Sequence, residues 1–172
     1  INRLIGDLLE LSRTPKYQRR PMSLQPLLLD ILEFFEPELQ SSRIHCVTSL
    51  PPDLPPILAD ADQLTKAFQN LFRNAIQAMP LGGHLTVSIL PGPHGQGGEI
   101  RIQDDGEGIE PEALNKILNP FFTTKEKGSG LGLPIVKSII QAHQGSLEIS
   151  SAPGTGTTVS ITLPALALEK AS

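Results

Sequence analysis

Residues 84–104 read HLTVSILPGPHGQGGEIRIQD. Leu85, Val87 and Ile89 alternate with polar neighbours, which predicts a strand over 84–90 with one buried face. Proline and glycine crowd residues 91–98, so the chain turns there and returns as a strand from Glu99 to Gln103. The preceding segment has a different period. Leu64, Phe68, Leu71, Phe72, Ala75 and Met79 lie on one stripe of a helix over 61–79. Asp60 and Gln63 open it at capping-box spacing, and Gly82-Gly83 stops it. A helix feeding an antiparallel hairpin is not the strict alternation of a doubly wound sheet. It predicts an α+β fold: a two-layer α/β sandwich with helices on one face of a mixed sheet.

Upstream, Ser23 is a good N-cap for a helix from Leu24 to Gln40, with Leu27, Leu28, Ile31, Leu32, Phe34 and Phe35 as its apolar face. Residues 43–50 read as a strand, and Pro51, Pro52, Pro55 and Pro56 as an extended loop. Downstream, a glycine-rich stretch runs from Asp104 to Gly132, interrupted by a short helix near 111–118. A helix from about Leu131 to Gln144 stops at Gly145. Strands 146–151 and 157–163 follow, joined by Pro153-Gly154-Thr155-Gly156, and 165–172 read as a frayed tail. At the other end, Ile1, Leu4, Leu8 and Leu11 form a heptad seam, widened by Ile5 and ended by Pro15. That seam fits a coiled coil or a short amphipathic helix packed on its own domain. Arg19, Arg20 and Pro21 belong to a polar linker over 15–22. Because the chain opens at Ile1 inside a helical pattern, an upstream segment is expected.

A length of 172 residues suits one domain with a sizeable core. A net charge of -4 offers no basic footprint for nucleic acid and no attraction to an anionic membrane. No run reaches the ~18 apolar residues of a membrane span. The lone Cys46 cannot form an internal disulfide; it reads as a small buried hydrophobe in a reducing, cytoplasmic compartment.

Four clusters carry chemistry. Asn70 and Asn74 are four apart, so their amides leave one helical face, and an amide oxygen is a hard, neutral ligand for Mg²⁺. Asp104-Asp105-Gly106-Glu107-Gly108-Ile109 follows a strand; a carboxylate there can accept from an exocyclic amine such as adenine's, and the glycines let the backbone approach a flat ring. Pro120-Phe121-Phe122-Thr123-Thr124-Lys125 and Gly128-Ser129-Gly130-Leu131-Gly132 open a helix, whose free N–H groups form an anion site beside a mobile lysine charge. Phe121 and Phe122 read as aromatic plugs anchoring that loop. Gly154-Thr155-Gly156-Thr157 enters the last strand, with Thr157 in reach of the base-binding carboxylate directly or through water.

In this order the clusters resemble the boxes of the histidine-kinase catalytic domain, a Bergerat-type ATP-binding fold, nearest to the nitrogen-regulation type with a short lid. The resemblance spans residues ~20–164, with a domain at 23–164. It implies ATP and Mg²⁺ as cofactors. Asp104 would bind the adenine amine; Gly106, Gly108 and Ile109 would shape the base pocket; Thr157 would back it. Asn74 would hold Mg²⁺, with Asn70 beside the phosphates as a second possible ligand. Thr124, Lys125 and Gly128, Ser129, Gly130, Leu131 and Gly132 would form the lid, and Asn70 and Lys125 are the expected catalytic pair. Many members carry a basic residue three after the magnesium asparagine, where this chain has Gln77. Hydrolytic members of the superfamily place a glutamate where Asn70 stands, and an amide cannot serve as general base. Phosphoryl transfer to a separate acceptor is therefore expected.

The family's acceptor is a histidine on the first dimerisation helix. His45, His84, His94 and His143 all read as structural or solvated, so the acceptor lies outside this sequence. Residues 1–14 resemble the end of the second dimerisation helix. The implied partners are the dimerisation and phosphoacceptor helices of the same kinase, as a homodimer, and a response-regulator receiver domain. A serine kinase of the anti-sigma type and a degenerate dimer scaffold are the alternatives.

Overall fold

The computed structural model describes residues 17–92, 97–125 and 128–166. The heptad seam, Pro15, His94 and the tail from 167 lie outside the described residues. The elements are β1 (Arg20–Met22), α1 (Leu24–Ser41), β2 (Ile44–Ser49), β3 (Ile57–Ala59), α2 (Ala61–Gln77), β4 (Gly83–Pro91), β5 (Gly98–Asp104), α3 (Pro111–Leu114), α4 (Gly132–Ala142), β6 (Ser146–Ala152) and β7 (Gly156–Leu163). Five strands form one sheet in the order β2-β4-β5-β7-β6. The β2–β4 pair is parallel and the other three are antiparallel, so the sheet is mixed, as expected.

The period-2 pattern of 84–90 acts as predicted. Leu85, Val87 and Ile89 are buried beside Ile100, Ile102, Val159, Ile161 and Leu163. Against that face pack the stripes of three helices: Leu28, Ile31 and Phe35 of α1, Leu64, Phe68 and Phe72 of α2, and Ile135, Val136, Ile139 and Ile140 of α4. A fully buried Leu or Phe contributes roughly 1.5–3 kcal/mol. Phe34 is the exception in α1, 62% exposed with its ring edge-on to Phe35. Leu24, Leu28, Ile31, Phe35 and Leu39 take the inward stripe, and position 34 falls beside it. Cys46 is half-buried, and burial pushes its thiol up.

The end of the linker and the three residues that follow the proline-rich loop prove to be strands. Arg20 to Met22 pair antiparallel with Ile57 to Ala59 as a separate two-stranded sheet. Pro21 fits because it sits on an edge. Three other boundaries move. The short helix ends at Leu114. After α4 the left-handed step falls on Gln144 (φ 59), not on Gly145. Gly145 is required for space instead, since a Cβ there would lie 2.5 Å from the Thr162 carbonyl oxygen. Residues 165 and 166 are not frayed: Leu166 N donates to Pro56 O.

Ser23 holds the cap position of α1 without a side-chain cap bond. Asp60 does cap α2, accepting from Gln63 N at 3.1 Å. The box is half formed, because the Asp60 N–H donates to His143 Nε2 at 3.0 Å. Gln63 Oε1 is left buried without a partner among the described residues. His143 donates from Nδ1 to Ile139 O, a tautomer assigned from its partners. Its ring meets Tyr17 edge-on, and Gln18 N donates to Asp60 Oδ2 at 2.8 Å. This cluster ties the entering chain to the ends of α2 and α4. Asp60→Ala loses the cap and orphans Gln18 N, so it is expected to destabilise the chain by about 2 kcal/mol. Asp60→Asn, which keeps an acceptor, is expected to lose less. Urea unfolding midpoints at constant slope measure both.

Candidate functional site

One cavity of about 850 Å³ opens between α2 and the loops that precede α3 and α4. Asp104 stands at one end, as the last residue of β5. The residue is buried, 6% exposed. Oδ1 accepts from Gly106 N at 3.0 Å and from Thr157 N at 3.2 Å. Among the described residues nothing bonds Oδ2, which leaves it as an acceptor for a ligand amine. Desolvation pushes the carboxyl above its ordinary range; the two backbone bonds oppose that shift.

The wall behind Asp104 is a chain of hydroxyls. Thr157 meets Asp104 through its backbone N–H, and its side-chain oxygen lies 2.9 Å from Ser151 Oγ. Ser151 Oγ donates to Gly156 O and accepts from Ile109 N at 2.9 Å. Ser151 therefore holds three segments of the base end together. No motif contains it, and only the β6–β7 register brings it there.

Gly108 and Ile109 line the cavity, whereas Gly106 does not. A Cβ on Gly106 would lie 2.3 Å from Ala78 O, and Glu107 N donates to that same oxygen. Gly106 thus packs its loop on the end of α2 instead of approaching a ring. Gly108 (φ 72) passes so close to Ala152 that a Cβ would lie 2.0 Å from its carbonyl oxygen.

At the other end, Asn70 and Asn74 line the same cavity from α2. A Cβ on Gly132 would lie 3.5 Å from Asn70 Oδ1, so the start of α4 faces Asn70. The N-cap Leu131 gives α4 no side-chain cap bond, and free N–H groups of its first turn attract an anion. Leu131 itself is fully buried in the core and does not line the cavity, in contrast to its expected place in the lid. Thr124, Lys125, Gly128, Ser129 and Gly130 do line it. Phe122 also lines it, but Phe121 is 61% exposed with φ 69, so only one of the two aromatics is turned inward.

Lys125 reaches across the cavity. Its Nζ donates to Gln77 Oε1 at 2.7 Å and lies 3.4 Å from Asn74 Oδ1. Lys125 as a whole is exposed, but its ammonium sits beside two cavity-lining amides, and desolvation lowers its pKa against the pull of Asp104 and Glu107. A cation thus already stands beside the amide oxygen read as a metal ligand. Gln77 and Glu107, to which the sequence motifs assign no role in the site, both line the cavity. Arg73 stacks its guanidinium 5.7 Å from the Phe35 ring centre.

His84 pairs with Asp105 at 2.8 Å on the exposed side, and His45 lies near it. Neither these nor His143 lines the cavity, in keeping with structural or solvated roles.

The family model described as histidine kinase-, DNA gyrase B- and HSP90-like ATPase matches residues 59–167. The chain belongs to this ATPase family. Membership implies ATP binding. The ATPase domain is 35% identical to the sensor histidine kinase ZraS of Escherichia coli K12 over 95% of this chain and 35% of that protein. It is 34% identical to sporulation kinase A of Bacillus subtilis over 95% of this chain and 27% of that protein. The chain spans about a third of the length of the curated relatives it matches. The catalytic domain of histidine kinase ThkA has the same α+β fold, with a TM-score of 0.76 and 26% identity over 86% of this chain and 96% of that one. No helix of the ATPase domain among its described residues is long and apolar enough to cross a membrane.

Proposed function

We propose that residues 23–164 are the ATP-binding catalytic domain of a two-component sensor histidine kinase. The observation that carries this reading is that Asp104 and Asn74 open on one cavity from opposite elements, with a cation beside Asn74. Asp104 Oδ2 accepts from the adenine amine, with Ile109 and Thr157 lining the same end of the cavity. The triphosphate runs toward Asn70, Lys125 and the start of α4.

The donor set suits magnesium. Asn74 Oδ1 is a neutral, hard oxygen, and the Lys125 ammonium beside it marks a position that accepts positive charge. Mg²⁺ would be held by Asn74, with Asn70 one turn earlier, and when bound would neutralise phosphate charge. The chain's own residues position and stabilise: the amides and Lys125 face the phosphates, and the α4 N-terminus offers N–H groups. Asn70 cannot take a proton from water, which disfavours hydrolysis. The acceptor is a histidine on dimerisation helices of the same kinase, of which residues 1–14 are the end. Its ring nitrogen bonds to the γ-phosphorus as the bond to ADP breaks, and the phosphoryl group passes on to a receiver-domain aspartate. We place the reaction in the cytoplasm.

The test mixes this chain with labelled ATP and a separate histidine-bearing helix pair. Acid-labile, alkali-stable label on the helix pair is expected. Label on serine, or no MgATP binding by the chain, refutes the reading.

A further inference from the structure

We propose that Gln77 is a positioning residue for the lid's cation: it anchors the Lys125 ammonium at the phosphate end of the cavity, beside Asn74. The inference rests on the reading above that this cavity holds ATP.

Gln77 is the last residue of α2, three after Asn74, so both amides leave the same face of the helix. Its Oε1 is the nearer partner of Lys125 Nζ, 2.7 Å against 3.4 Å to Asn74. The two residues lie 48 apart in sequence, and the lid has to fold over α2 for them to meet. Lys125 has a four-carbon stem with many rotamers, and two carboxylates compete for its charge. Asp104 and Glu107 both attract it, from the adenine end. An ammonium left free would be drawn toward them and away from the phosphates. A neutral acceptor on the last turn of α2 holds it at the far end without adding negative charge there. A glutamate at 77 would also hold Lys125 but would repel the triphosphate; a lysine or arginine would repel Lys125.

Affinities of the whole chain for ATP and for adenosine, measured by calorimetry at fixed Mg²⁺, test this. Gln77→Ala is expected to weaken ATP binding roughly fivefold to tenfold and leave adenosine unchanged. In a Lys125→Ala background the same change is expected to add little, because the anchor then has nothing to hold. Gln77→Lys together with Lys125→Ala is expected to recover part of the ATP affinity, since it places an ammonium at the same spot from the helix side. Gln77 is exposed, so these variants are expected to fold. Additive losses for Gln77→Ala and Lys125→Ala, or an equal loss for adenosine, overturn the proposal. A wild-type chain that binds neither adenosine nor ATP instead refutes the nucleotide site itself.

Discussion

Asp104→Asn is expected to leave a folded protein that no longer holds ATP. The asparagine carbonyl can take the place of Oδ1 and keep the bonds from Gly106 N and Thr157 N. Its NH₂ group then stands where Oδ2 was, donor facing the adenine amine. The site loses a charge-assisted bond and gains an unpaired donor, so ATP affinity is expected to fall on the order of a hundredfold. ITP, with a carbonyl oxygen in place of the amine, is expected to lose far less.

Stability is expected to move the other way. Burial raises the Asp104 carboxyl pKa in the folded chain, so the folded state holds that proton more tightly than the unfolded state. The cost of an ionised Asp104 is absent below the unfolded value, about 3.9, and grows as pH rises through the folded one. Asp104→Asn removes that cost. Its urea midpoint is expected to match wild type in acid and to exceed it near neutrality. An ATP affinity unchanged by the substitution would remove Asp104 from the site.

Gly156→Ala is expected to damage fold and site together. Gly156 has φ 86, and a Cβ there would lie 2.0 Å from the Asp104 carbonyl oxygen and 2.8 Å from Asp105 Cα. The obstacles are backbone, so no side chain can turn away. The left-handed penalty of roughly 1–2 kcal/mol then adds to a forced separation of β7 from the end of β5, for a total of about 3 kcal/mol or more. Asp104 moves with it, and ATP affinity is expected to fall as well. Gly154→Ala is the control. Gly154 also has positive φ (74), but a Cβ there meets nothing within 4 Å. It is expected to cost only the backbone strain. Equal urea midpoints for the two variants would show that the close approach at Gly156 does not matter.

Local periodicity made most of the fold legible. The helix at 61–79 and the hairpin at 84–104 bury the side chains their patterns named, because period and burial face are set within a few residues. The short strands β1 and β3 were hidden. Each has three residues, too few for a period, and proline-rich surroundings argue for loop; they exist only as each other's partner. Phe34, read as part of the buried face of α1, is exposed for a related reason. Hydrophobicity says that a side chain has reason to be buried, not which neighbour leaves room for it.

The ordered boxes from Asn70 to Thr157 pointed by themselves to the family, as the local periods did to the α+β class. They do so because each box has to present a particular group on a particular kind of element. Tertiary structure decided the rest. It set Asp104 Oδ1 against two backbone N–H groups, made Ser151 the tie behind Thr157, and carried Lys125 to Gln77. Apart from the local bond from Gly106 N, those contacts join residues 6 to 53 apart, where sheet register and the path of the lid, not any local preference of the chain, determine which polar atoms meet.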